Sequence, residues 1–151
     1  MALYYTGNAR NPAQAAEMER LEAAGTCLFC PSPPIKPVLH RTEHWRVVAN
    51  DYPYAGTALH LMLVPDAHVA DLLDLDPPVQ ADFWVALGWV RAHHDLRFYG
   101  LGARCGDCRF TGVTIEHVHV HVVVGDVEGP EDTPVRLKLS SRPAPGRDRP
   151  R

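Results

Sequence analysis

The run Thr114-Ile-Glu-His117-Val-His119-Val-His121-Val-Val-Val124 constrains this chain more than any other stretch. In an extended strand the side chains alternate between two faces, so the three histidines share one face and valines fill the other. One face is set for chemistry and the other for a core. Positions i and i+2 lie about 6.6 Å apart, which puts the outer imidazoles some ~13 Å apart, too far for one metal ion to collect all three. The histidines must divide their labour.

The four cysteines form two pairs, Cys27-Leu-Phe-Cys30 and Cys105-Gly-Asp-Cys108. With no export signal at the N-terminus, such pairs favour metal or redox roles over structural disulfides. Pro31-Ser-Pro-Pro-Ile-Lys-Pro37 can continue neither a helix nor a central strand, so Cys27 and Cys30 sit on a loop suited to zinc ligation. A thioredoxin-like role is disfavoured, because no strand precedes and no helix follows the first pair.

Around these motifs the chain reads as strands, a helix, then strands. Asn11-Pro12 starts a short helix over 13–24 that ends at Gly25. Val38-Leu39, Trp45 to Ala49 and Leu59 to Val64 read as strands, the last two joined by a turn at 51–56. Asp76-Pro77-Pro78 opens a longer helix to about Arg97, with Phe83, Leu87 and Val90 on its buried face. After a loop bearing the second cysteine pair comes the histidine strand, and a last amphipathic strand is expected at Val135 to Leu139. This order predicts an α+β fold: a mostly antiparallel sheet with one principal helix. A single domain spans 1–140, and 141–151, rich in arginine and proline with little apolar to bury, reads as a disordered tail.

The spacing of His117, His119 and His121, followed by two apolar residues, resembles the signature of the histidine triad (HIT) family of nucleotidyl hydrolases and transferases. Gly112-Val-Thr114 before it, and Asn50-Asp-Tyr-Pro53 followed by His60-Leu-Met-Leu-Val-Pro65-Asp-Ala-His68, resemble the family's other landmarks. The resemblance implies that His119 is the nucleophile and forms a nucleotidyl-histidine intermediate. It implies that His121 contacts substrate phosphates, that Asn50 holds ribose hydroxyls and Thr114 assists at the phosphate, and that the backbone near Gly112 borders the substrate. It further implies a structural zinc on Cys27, Cys30, His68 and His117, no organic cofactor, and a homodimer acting on a nucleotide with a purine base. Residue spacing alone leaves rivals for the metal: a four-cysteine site joining both pairs, reduced thiols without metal, or His40 or His44 in place of His68.

Two departures stand out. Many relatives carry Gln where this chain has Val113, and Asn or Gln about where it has Cys105-Gly106-Asp107. Val113 cannot donate a hydrogen bond to a bridging oxygen.

A net charge of −3 gives no global pull toward nucleic acid or an anionic membrane, and the apolar runs are too short for a membrane span. The expectation is a cytoplasmic protein whose substrates are dinucleoside polyphosphates or nucleoside phosphoramidates. Two rivals are a hydrolase using the histidine row as catalytic zinc ligands, and a non-catalytic nucleotide-binding or zinc-scaffold protein.

Overall fold

Asn11 starts the first helix as its side chain allows: Oδ1 accepts the backbone N–H of Gln14 at 2.8 Å, and Pro12 occupies the first helical position. In the computed structural model, which describes residues 2–130 and 133–142, this helix α1 runs Pro12–Ala23 and buries Gln14, Met18 and Leu21. Helix α2, Pro77–His93, begins at two prolines; Asp76 caps it through its backbone carbonyl, which accepts from Val79 and Gln80. It stops four residues short of Arg97 because Asp95 turns into the left-handed region at φ 49° and Leu96 N–H bonds back to the Arg91 carbonyl.

Five strands form one antiparallel sheet: β1 His40–Arg41, β2 Trp45–Ala49, β3 Thr57–Pro65, β4 Gly100–Ala103 and β5 Val120–Gly125, in the order β1-β2-β3-β5-β4. The observed α+β architecture therefore matches the expected one, with three local differences. Gly100–Ala103, assigned to no element from sequence, is the edge strand beside β5. Val38 and Leu39 precede the first ladder rather than forming it, although Leu39 N–H already bonds to Val47. Val135 to Leu139 is not a strand; it crosses the sheet without a backbone ladder.

The two faces of the sheet bury different things. Val47, Leu61, Leu63, Val120 and Val122 pack against Ala86, Leu87 and Val90 of α2. Fully burying such a side chain contributes roughly 1.5–3 kcal/mol. Trp45 locks the helix to β2 by donating Nε1–H to the Val79 carbonyl at 2.7 Å. On the other face Val48, Met62 and Val64 meet Met18, Leu21, Leu28, Phe29 and Ile115. Ala49, His60 and Met62 lie on strands that run beneath this second layer, and Met62 faces His121 across the ladder.

The histidine run is only partly regular strand. The ladder begins at Val120, and the segment before it bends at Thr114, Glu116 and His117 and meets the N-terminus instead: Tyr5 N–H bonds to Thr114, Glu116 N–H to Leu3, and Tyr4 faces Ile115.

Candidate functional site

The valine face and the histidine face separate as alternation dictates: Val120 and Val122 go to the α2 core, and His119 and His121, with ring centroids 4.8 Å apart, face the opposite side. They border a cavity of about 380 Å³ whose walls include Asn50, Gly112, Thr114, Tyr54, Arg104 and Lys138. His117 turns away from this cavity toward the cysteines.

The metal site assembles from three distant segments. One donor atom each from Cys27, Cys30, His68 and His117 lies within 4.8 Å of every other. Sγ of Cys30 is 3.2 Å from His68 Nδ1 and 3.8 Å from His117 Nδ1, and Sγ of Cys27 is 3.6 Å from His117 Nδ1. A tetrahedral zinc with bonds of about 2.0–2.3 Å needs ligand separations of roughly 3.3–3.8 Å, so the donor set fits that ion. His117 Nε2–H donates to the Pro65 carbonyl at 2.8 Å, which leaves Nδ1 as the free lone pair. The same carbonyl accepts from Arg46 Nη2 at 3.3 Å, and Arg46 also grips the Phe29 carbonyl between the two cysteines. Burial pushes the Cys27 thiol up to about 12, so a thiolate there requires a cation beside it. Cys105 and Cys108 join no such group among the described residues, and neither do His40 or His44, which disposes of the four-cysteine alternative.

Hydrogen bonds fix which nitrogen of each remaining ring carries its proton. His119 Nδ1–H donates to the His117 carbonyl at 3.0 Å, leaving the Nε2 lone pair free. Burial pushes His119 down to about 4, so the ring is neutral at pH 7. Tyr54 N–H donates to His60 Nδ1 at 3.0 Å; His60 must then donate from Nε2, and its partner at 2.8 Å is His121 Nδ1. His121 in turn carries its proton on Nε2, facing Tyr54 Oη at 3.3 Å and Arg104 Nη2 at 3.1 Å. Burial, then the neighbouring His119 and Arg104, hold His121 well below the usual histidine range. A neutral His121 thus presents an N–H at the cavity.

The other expected residues are present but differently employed. Asn50 lines the cavity, yet its Oδ1 also accepts Tyr52 N–H at 2.8 Å, so it is both a turn residue and a wall residue. Thr114 lines the cavity while its backbone carbonyl pairs with Tyr5. Gly112, at φ 75°, ends the short helix α3 (Cys108–Thr111) and gives its N–H to Ser141 Oγ at 3.2 Å, so that donor is already engaged. Val113 is buried and only its carbonyl is used, accepting from Asn8.

Sequence reasoning missed His60, Tyr54 and Arg104. His60 stood in a recognised segment, and its strict alternation with Met62 on β3 placed it opposite the histidine row. Arg104 and Tyr54 come from loops, where no periodicity announces direction. The three-histidine row itself forms no metal-ligand group among the described residues, which weakens the catalytic-zinc alternative.

Solved structures share this fold. A HIT family hydrolase from Clostridium thermocellum aligns with a TM-score of 0.56 at 21% identity, covering 71% of this chain and 96% of that one. A Zn-bound histidine triad family protein from Mycobacterium smegmatis aligns with a TM-score of 0.53 at 20% identity, covering 76% and 84%. A histidine triad protein from Clostridium difficile aligns with a TM-score of 0.52 at 16% identity, covering 70% and 96%. No curated protein matches the sequence significantly. A family model described as HIT domain matches residues 36–128, more than half of the chain, and the chain therefore belongs to the HIT domain family.

Proposed function

We propose that this protein is a nucleotidyl hydrolase or transferase that acts on dinucleoside polyphosphates or nucleoside phosphoramidates through a covalent bond to His119. The observation that carries the reading is the 3.0 Å bond from His119 Nδ1–H to the His117 carbonyl, which aims an unprotonated Nε2 into the cavity. Nε2 attacks the α-phosphorus as the bond to the leaving group breaks with its electron pair, a phosphate chain departing as its anion and an amine departing with a proton taken from water. Water, or another acceptor, then attacks phosphorus and loses its proton to solvent, and the bond from phosphorus to Nε2 breaks, returning the electron pair to Nε2. His121 Nε2–H donates to a phosphate oxygen, and Asn50 and Thr114 border the nucleoside and phosphate.

Zinc fits Cys27, Cys30, His68 and His117, and when bound it would tie the cysteine loop, the end of β3 and the histidine run together. A structural role suits it, since none of the four residues that would hold it lines the cavity. Two copies of the chain would pair through the free edge of β4 and the exposed Trp84 and Val85 of α2. No described helix is long and apolar enough to cross a membrane.

The test is intact-protein mass after brief, rapidly quenched exposure to AMP phosphoramidate and to diadenosine tetraphosphate. Wild type gains a nucleotidyl mass and His119→Ala does not. Absence of both adduct and product with either substrate would overturn the enzyme reading in favour of a binding module.

A further inference from the structure

The segment 133–142 lies against the cavity face through close approaches to three glycines. A Cβ on Gly56 would overlap the Thr133 carbonyl, one on Gly102 the Leu137 side chain, and one on Gly112 the Ser140 carbonyl. Gly56 and Gly112 also sit at positive φ, which other residues seldom adopt. Ser141 fastens the far end: its N–H bonds to the Phe110 carbonyl, its Oγ donates to the Cys108 carbonyl at 3.0 Å, and Asn8 Nδ2 reaches that Oγ at 3.0 Å. Arg104 Nη1 holds the middle through the Lys138 carbonyl at 3.0 Å. The strap is therefore a built wall of the cavity, and it brings Arg136, Lys138 and Arg142 to it.

These three cations join Arg10 and Arg104 around the same space. None of the five has a carboxylate partner among the described residues, and the acid in the wall, Asp51, is taken by Lys36. Burial, then the nearby Arg104, Arg142 and Arg10, lowers the Lys138 ammonium from its usual value. Two donors also crowd one acceptor: His121 Nε2–H, fixed by the relay from Tyr54 and His60, lies 3.1 Å from Arg104 Nη2, and both turn to the Tyr54 hydroxyl, at 3.3 and 3.2 Å. Arg104 Nε is buried without any partner. Uncompensated like charges and crowded donors are satisfied together by one kind of ligand, an acceptor-rich polyanion.

We propose that Arg10, Arg104, Arg136, Lys138 and Arg142 form a polyphosphate-binding site that selects substrates with three or more phosphates over singly charged nucleoside phosphoramidates. This rests on the nucleotidyl-transfer reading above and narrows its substrate class. The cations hold the phosphates beyond the one that His119 attacks, and they stabilise the charge that collects on the departing chain, work that Val113 cannot do by hydrogen bonding.

Two measurements test the site separately from the chemistry. In the first, calorimetric titration with inorganic tripolyphosphate is run on wild type, on His119→Ala and on the double variant Arg136→Ala/Lys138→Ala. Tripolyphosphate should bind wild type and His119→Ala alike, weaken steeply with added salt, and bind the double variant at least tenfold more weakly; no binding to wild type at low salt, or an unchanged double variant, overturns the proposal. In the second, kcat/KM is compared for diadenosine tetraphosphate and AMP phosphoramidate. The ratio of the two should favour the tetraphosphate in wild type and fall at least tenfold in the double variant, whereas a constant ratio overturns the proposal and leaves the nucleophile intact. If neither substrate reacts yet tripolyphosphate binds as described, the transfer chemistry fails and the polyphosphate site stands. Arg142→Ala, an exposed position, serves as a second variant should the double one unfold.

Discussion

The backbone carbonyl of His117 accepts the Nδ1 proton of His119, so a residue whose ring belongs to the metal site sets the tautomer of the ring that faces the cavity. The coupling is short and covalent in origin: any displacement of the His117 peptide moves the acceptor that keeps His119 Nε2 bare. The candidate metal site and the orientation of the proposed nucleophile thus share the same few backbone atoms.

Removing a metal ligand should therefore damage more than metal content. Cys30→Ser is expected to lower bound zinc well below one per chain by elemental analysis. It should also lower the melting temperature and reduce kcat by at least tenfold at a temperature where the chain remains folded. A structural zinc contributes on the order of 10 kcal/mol to folding, so stability should fall first. Full zinc occupancy in the variant would contradict the ligand assignment.

The tautomers can be read directly. Long-range proton–nitrogen correlation spectra at pH 7 should show His119 protonated on Nδ1, and His60 and His121 on Nε2, with all three rings neutral. Replacing His60 by Phe removes the donor that fixes His121, and the His121 ring should then exchange between tautomers. A Nδ1-protonated His121 in wild type would break the relay.

Acid should unfold the protein through its buried histidines. Burial, then Arg10 and His119, push His60 down to about 4, against about 6.5 in the unfolded chain. Above pH 6.5 both states are neutral there and the stability is fully present; below it the unfolded chain takes up the proton first, and stability is lost until about pH 4. For His60 alone the loss is roughly 3 kcal/mol. Urea midpoints of wild type and His60→Gln, measured from pH 7.5 to 4.5, should converge as pH falls, and parallel curves would sink the assignment.

The strap's seat can be spoiled without touching a charge. Gly112→Ala forces a side chain onto a backbone at φ 75° and against the Ser140 carbonyl, for a cost of about 1–3 kcal/mol. The variant should release the 133–142 segment to limited proteolysis far faster than wild type while α2 stays protected. Equal cleavage rates would mean that the glycine does not shape this contact.

Alternation made most of the site legible. Period-two spacing told His119 and His121 from Val120 and Val122, and the proline-bounded cysteine loop pointed to the metal. What alternation could not reach was anything set by loops. The regular ladder starts only at Val120, because residues 114–116 pair with the N-terminal Leu3 to Tyr5, a partner 110 residues away that no local pattern announces. The edge strand was hidden by Gly100 and Gly102, whose missing side chains make room for Val123 and Leu137. Val135 to Leu139 has the alternation of a strand but serves as a cover, with the Lys138 carbonyl accepting from Arg104 rather than from a neighbour strand. The expected tail beyond residue 142 lies outside the described residues.

Asn8 and Ser141 meet at 3.0 Å although 133 positions separate them, and the cavity lies along the seam they close. A nascent chain that has emerged only through β5 holds the residues of its sheet, its helices and His119, but not those of one wall of the cavity. On the proposed reading, activity would then be acquired later than the sheet and helices. Turnover would report that translation has passed Ser141 in a way that folding, by itself, would not.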